Sequence, residues 1–484
     1  MTNLADLLPA GGGQNNTEFV ADGNVSAGVP VVLTAAGKAA AVAESSVTEA
    51  VGTPVAFGGG VTLSTVACCY DTTNSKVVIA YGDNNDSGYG KAIVGTVSGS
   101  TISFGTQVTF AGSGTVGDLS IVFDPDSGKV VIAFRDNSNS GYGTAIVGTV
   151  SGTSISFGSA AVFSSSSNNY NSAVYDTSND KVFISFTNAG SSNYGQGVVG
   201  TVSGTSISFG SAVTFHANTT YPTRAAFDSS ANKVVIAFGN GSSSNEQAVV
   251  GTVSGTSVSY GSPVTYSSAL AADLWTSYDA NANKTLISFE DASNSNYGSA
   301  IVGTVSGTSI SFGTAAVFDA GNGFGKTSVY DSNTQKVVII YNNAASSYST
   351  AVNATISGTS VSFTSPFQLT ATYNNPQMPT FDSVNNKVVS AYDSSGSKAL
   401  VYTPPGTSTN LTSTNLLGIA AGAISDTATG TINTWGSRNE VQTSLTIGSD
   451  YYVQTDGTIT TDSGGQLIGK AITATQINIK DYTG

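Results

Sequence analysis

Seven times along this chain an aromatic residue is followed by Asp and, after four intervening residues, by Lys and a short apolar run. The aspartates are Asp71, Asp124, Asp176, Asp228, Asp279, Asp331 and Asp382, spaced 53, 52, 52, 51, 52 and 51 residues apart. A period of this length, with strand-like content in every unit, means one supersecondary unit stacked on copies of itself. It constrains architecture far more than activity, because a repeated scaffold carries chemistry where a copy departs from the consensus.

The third copy shows the unit. Its apolar and aromatic residues fall in short stretches at 173–175, 182–186, 197–202 and 207–209, each bounded by Asn, Ser, Asp or Gly. Such stretches are too short for helices and have the β-branched and aromatic makeup of strands. The segment 176–180 is rich in Asp, Ser and Asn, which bond the local backbone, and Ser203-Gly204 supplies a tight reversal. Four strands joined by hairpins form a meander, and a meander at this period encodes a propeller blade. The fold class expected is therefore all-β, a seven-bladed β-propeller.

The seventh copy lacks a fourth strand: after residues 398–402 the sequence TPPGTSTN replaces the usual GTVSGTSISFG. Upstream of the first full repeat, TPVAFGGGVTL at 53–63 matches the pattern TSISFGSAVTF and belongs to no complete unit. An N-terminal strand that completes the last blade closes the ring and removes its open edges. Val55 to Phe57 are thus expected to pair with the seventh blade.

A formal net charge of −14 with three arginines argues against broad nucleic-acid binding, which needs cations to neutralise phosphates. No run of eighteen apolar residues is present, and the start MTNLADLLPAGGG lacks a basic n-region and an h-region, so neither membrane insertion nor a recognisable signal peptide is expected. Cys68 and Cys69 occupy positions held in other copies by small apolar residues and read as packing residues of an inner strand. The single histidine, His216, reads as a loop or strand-end residue, and no cofactor or metal site is expected around it. Sialidase-type enzymes, which resemble this architecture, use three arginines on the substrate carboxylate; the propeller region has Arg135 and Arg224 alone. A paired-carboxylate hydrolase stays open through the many aspartates, although most of them recur at one repeat position, as a turn requirement predicts. No catalytic residues are assigned and the chain is read as a non-enzyme.

A second series follows the second strand of the repeats: Asp83, Asp136, Asn188, Asn240, Asp291 and Asn343, with Tyr89, Tyr142, Tyr194, Tyr297 and Tyr348 several residues later. Asx groups beside aromatic rings suit sugar binding, the polar groups meeting hydroxyls and the ring covering an apolar sugar face. The competing reading is that Asx makes the turn and Tyr covers the blade edge. The candidate ligand-binding loops are those carrying these residues, with the fourth and seventh copies lacking the tyrosine.

Residues 1–16 read as a flexible arm or attachment peptide, 51–405 as the propeller, and 17–50 with 406–484 as a small β domain built from both chain ends, into which the propeller is inserted. The opening MTNLADLLPAGGGQNN, the repeat YGTAIVGTVSGTSISFG and the tail YYVQTDGTITTDSGGQLIGKAITATQINIKDY together resemble structural proteins of marine tailed phages, particularly cyanophages, described as tail fibres or virion appendages. The resemblance covers nearly the whole chain and is sharpest in the tail segment. It implies a virion component displayed on the outer surface of head or tail. On this reading the arm or the small β domain docks on other virion proteins, the chain forms a homo-oligomer on the particle, and the propeller contacts host-surface glycan, a receptor or another virion protein. A compact knob fits better than a slender fibre, since no coiled-coil or β-helical shaft is encoded. A decoration or cement protein is the alternative reading, and a propeller polysaccharide hydrolase the third.

Overall fold

Residues 15–270, 273–321, 323–412 and 414–480 are described by the computed structural model, and among them regular structure is β-strand with three single-turn 3-10 segments. The chain divides into two compact units: Thr48–Pro404, and the residues before and after it.

The larger unit is a β-propeller of seven sheets. In the first, Leu63–Asp71, Lys76–Asp83, Tyr89–Ser98 and an outer edge form an antiparallel meander. The outer edge comes in two pieces: Thr101–Phe104 pairs with the end of the third strand and Val108–Ala111 with its beginning. In the second and third sheets the latter piece runs straight on as the inner strand of the next, within Ala161–Asp176 and Val213–Asp228. The repeating aspartates end these inner strands. Each is buried, and its carboxylate accepts backbone N–H groups of the following turn, as when Asp228 Oδ1 accepts from Ser230 N at 3.0 Å and Ala231 N at 2.9 Å. They belong to the scaffold.

Neighbouring sheets are joined by an aromatic trio that recurs around the ring. Phe163 on the outer edge of the second sheet meets Phe186 and Phe209 of the third, with centroids 5.4 and 5.6 Å apart. Phe57, Phe110, Phe215, Tyr266 and Phe318 do the same at other junctions. Burying each such ring removes enough apolar surface to stabilise by about 1.5–3 kcal/mol, and the tilted or edge-on geometry adds to that. Cys68 and Cys69 show how a strand serves two junctions at once. Their side chains alternate, Cys68 packing with Tyr70, Val389 and Ala391 towards the seventh sheet and Cys69 with Val130 and Ile132 towards the second. Burial pushes the Cys68 thiol up to about 12, and its Sγ–H donates to Met378 O at 3.0 Å.

The seventh sheet contains Gln377–Asp382, Lys387–Asp393 and Ser397–Thr403, and its fourth position is filled from the start of the chain. Ala50–Val51 pair with Thr403 and Tyr402, and Val55–Ala56 with Ala399 and Lys398. The register differs from the pattern match above. TPVAF occupies the place of TQVTF at 106–110, the second outer piece, whereas Ala50–Val51 take the place of the first. Gly52 marks this register, because a Cβ there would sit 1.7 Å from Ser100 O, as one on Gly105 would sit 1.9 Å from Thr153 O. Since Ala50 and Thr403 belong to this sheet, the unit begins at Thr48 rather than at 51.

The smaller unit contains strands from both flanks. One sheet runs Asn16–Val20, Thr429–Asn433, Leu416–Ala420, Pro30–Leu33, Ala39–Ala41; a second runs Arg438–Asn439, Gln476–Ile479, Gln466–Thr473, Asp450–Val453, Ile459–Thr460. Val32, Leu416, Ile419, Val453, Ile468 and Ile477 share one core. Of the arm expected at 1–16, residues 1–14 lie outside the described residues. Asn15 and Asn16 belong to this unit: Asn15 Nδ2 donates to Trp435 O at 2.9 Å, and Asn16 pairs with Asn433.

Candidate functional site

Antiparallel order puts the loops after the second strands and the entries to the inner strands on one face of the ring. On that face all of the predicted Asx series but Asn188 is engaged by its own turns. Asp83 Oδ1 accepts from Asn85 N at 2.9 Å, Asp136 Oδ1 from Ser138 N at 3.0 Å, Asp291 Oδ1 from Ser293 N at 3.1 Å, and Asn343 Oδ1 from Ala345 N at 3.0 Å. Asn188 instead donates to Gln196 Oε1 at 2.9 Å. Asp83 is further held by Lys91 Nζ at 2.8 Å. Tyr89, Tyr142, Tyr194, Tyr297 and Tyr348 each open a third strand directly opposite the Asx of the same sheet and are half-buried there. The structure therefore keeps these ten residues apart, one pair to a blade, with Asp83, Asp136, Asp291 and Asn343 engaged in turns, while Asn188 caps no turn and its Oδ1 is buried without a partner.

What converges is a different set. The inner strands enclose a cavity of about 670 Å³ towards the same face, lined by residues of the first, second, third, fourth, fifth and seventh sheets. Two positions of the repeat contribute most of its variable lining, joined by Asn171 between them in the third copy and by Arg135 from a second strand. Six residues before the repeating Asp stand Thr65, Asp118, Tyr170 and Pro376; four before it stand Ser172, Arg224, Trp275 and Met378. Side-chain chemistry changes from copy to copy there, while the flanking strand pattern is kept. Aligning the seven copies on their aspartates and looking for the columns that vary is the signal that finds them; weighing Arg135 and Arg224 only as a count of arginines passes over it.

Bulges aim part of this set. In the second sheet Gly117 pairs with Arg135 and Ser120 with Ala133, and in the third Asn169 pairs with Thr187 and Ser172 with Ser185, so two residues of the inner strand face one of its partner. Asp118 and Tyr170, within these bulges, take positive φ of 48° and 56°. Asp118 is committed to the scaffold: Oδ1 accepts from Tyr170 N at 2.9 Å and Oδ2 lies 3.2 Å from Arg135 Nη1. In the fifth sheet Asp273 has the equivalent role, accepting from Lys326 N at 2.9 Å and pairing with Lys326 Nζ at 3.4 Å.

Arg224 has no such carboxylate. Among the described residues it makes no ion pair, its Nη1 donates to Thr223 O at 2.8 Å, and its Nε is buried without a partner. Its guanidinium carbon lies 4.7 Å from the centroid of Trp275, whose Nε1 donates to Ser328 O at 3.0 Å and so fixes the ring. Burial lowers the Arg224 pKa while Asp273 and Asp118 oppose the shift, and a guanidinium stays charged throughout the physiological range. Beside it Asn171 is 4% exposed, and both its amide nitrogen and its amide oxygen are buried without a partner. Tyr170 is 36% exposed and lines the same cavity. Chemically, this is a half-buried cation, an amide without partners and an aromatic ring lining one space.

His216 is not at this site. It lies buried inside Val213–Asp228, its Nδ1 2.8 Å from Thr220 Oγ1 and its ring 4.9 Å from that of Phe238, so it is a core residue rather than a loop residue. Among the described residues no three His, Cys, Asp or Glu side chains group closely enough to hold a metal ion, and no helix is long and apolar enough to cross a membrane.

No family model and no curated protein matches this chain. Among solved structures it is similar to a protein from Lactobacillus plantarum, at 13% identity and a TM-score of 0.45, over 63% of this chain and 85% of that one. It is also similar to an arginine-to-alanine triple mutant of AofleA from Arthrobotrys oligospora, at 10% identity and a TM-score of 0.42, over 66% of this chain and 92% of that one.

Proposed function

We propose that this chain is a phage virion structural protein displayed on the particle surface, a tail appendage or knob, and that its propeller is a non-catalytic module binding host-surface glycan. The N-terminal arm or the small β domain attaches it to other virion proteins, and several copies on one particle strengthen a weak single-site affinity. The observation that carries the binding role is the cavity: the residues that break the repeat meet there, and they include Arg224, Asn171 and Tyr170, whose polar atoms or ring are not fully used within the fold. The sequence resemblance supports the virion setting. The lining also holds a single carboxylate, Asp118, already engaged by Arg135 and Tyr170 N, which fits binding better than two-carboxylate glycoside hydrolysis.

A decoration or cement protein is the second reading, favoured by the rim loops, most of whose Asx groups are spent on their own turns. One experiment separates the readings. Purified virions are probed with antibody against the propeller. Labelling of the particle together with blocked adsorption supports the binding role, labelling with normal adsorption supports decoration, and absence from the particle contradicts both. Release of reducing sugar from host envelope by the purified protein would restore the hydrolase.

A further inference from the structure

We infer that the central cavity recognises a carboxylate-bearing sugar, with Arg224 on the carboxylate, Asn171 on a hydroxyl and the Tyr170 ring against the apolar sugar face. This rests on the glycan-binding reading above and assigns that site its ligand class.

The charge pattern is the first ground. The chain as a whole has a formal net charge of −14 and offers a polyanion no general attraction, yet the lining holds Arg135 and Arg224 against the single Asp118. Two of the carboxylates at the entries to the inner strands already have partners, Asp118 with Arg135 of its own sheet and Tyr170 N of the next, Asp273 with Lys326 of the next, which leaves Arg224 as the guanidinium without a counter-ion. Arg224 is half-buried, and a cation drawn partly out of water costs free energy unless it is paired. Trp275 offsets part of that cost through its ring face and holds the guanidinium in a fixed plane, which suits an incoming carboxylate better than a mobile lysine would.

The second ground is independent of charge. Asn171 is buried with neither end of its amide satisfied, an arrangement that costs stability; Asn168 shares it, but of the two only Asn171 lines the cavity. An amide that both donates and accepts matches a sugar hydroxyl, which does the same. The cavity volume of about 670 Å³ lies in the range of sites for small ligands and accommodates a short oligosaccharide end. The exposed part of Tyr170 gives the remaining element, an aromatic surface.

The test is calorimetric titration of the full chain with a uronic acid tetrasaccharide, with the neutral glucose tetrasaccharide of equal linkage, and with inorganic sulfate. The uronic acid ligand is expected to bind, the neutral one to bind at least tenfold more weakly, and sulfate to compete only weakly. Arg224→Gln is expected to weaken uronate binding at least tenfold. Because that change also disturbs packing on Trp275, Asn171→Ala is the companion variant. It removes no hydrogen bond of the fold, so its melting temperature should match or exceed the parent's while its affinity falls. Equal affinity for acidic and neutral tetrasaccharides, no binding of either, sulfate binding as strong as uronate, or unchanged affinity in both variants would each overturn the assignment. Failure here with antibody-blocked adsorption intact would remove the ligand class and leave the surface-binding role standing.

Discussion

Gly152 and Gly158 lie six residues apart in the second copy and are glycine for different reasons. Gly152 takes φ of 60° with open space where a Cβ would go, whereas Gly158 would place a Cβ 1.8 Å from Thr205 O of the next blade. Gly152→Ala is expected to cost about 1–2 kcal/mol of left-handed strain. Gly158→Ala forces two blades apart and is expected to cost more, about 2–4 kcal/mol, lowering the thermal midpoint further. Equal midpoints would show that the close approach is relieved cheaply. The sixth copy has Thr364 in place of this glycine, and it follows the blade whose neighbour has no such hairpin turn to collide with. His216 gives a pH prediction at the same scale. Burial holds its pKa below the ordinary value, with a hydrogen bond near Asn218 opposing, so the unfolded chain binds the proton more readily. Stability is then lost as pH falls through the ordinary histidine range and levels off below the folded value. Melting temperatures should decline between about pH 7 and pH 5 in the parent, and His216→Gln should flatten that decline; the same slope in both would contradict it.

The N-terminal strand is the element on which the ring depends. Phe57 is buried against Tyr81 and Phe104, Ser397 Oγ donates to Phe57 O, and Leu63 N donates to Asp393 Oδ2 at 2.6 Å. Tyr402 donates to Glu49 and accepts from Asn353 Nδ2, which pins the approach to Ala50. Phe57→Ala should therefore destabilise as much as Phe163→Ala in the middle of the chain, about 3–5 kcal/mol each, measured by thermal unfolding. A clearly smaller effect at Phe57 would mean that the closing strand contributes little. The element pattern was legible because strand, turn and period repeat seven times and each copy checks the others. The register of the closing strand was less so: TPVAF resembles both outer pieces, and what separates them is the glycine at 52, whose need for space becomes visible only against Ser100 of a neighbouring blade.

At the scale of the whole molecule, the division of labour is between columns of the repeat. The columns that recur, the inner-strand Asp, the loop Asx and the aromatic trio, close turns and join blades. The columns that vary bring Asp118, Tyr170, Arg224 and Trp275 to one cavity from four different copies. Residue type alone points to the recurring Asx and Tyr, whose chemistry suits sugars. The cavity is not visible in this way, because residues about 50 apart, each alone in its own strand, are adjacent only once the ring is formed. Asn171 was hidden for a second reason: an unpartnered amide is a property of its surroundings, not of its residue type.

The most direct test compares two variants of the full chain for attachment to a glycan array: Asn171→Ala in the cavity, and Tyr142→Ala with Tyr297→Ala on the rim. The cavity variant is expected to lose most attachment while the rim double variant, still folded, keeps it. Attachment lost in the rim variant and retained in the cavity variant would put binding on the rim loops and not in the cavity.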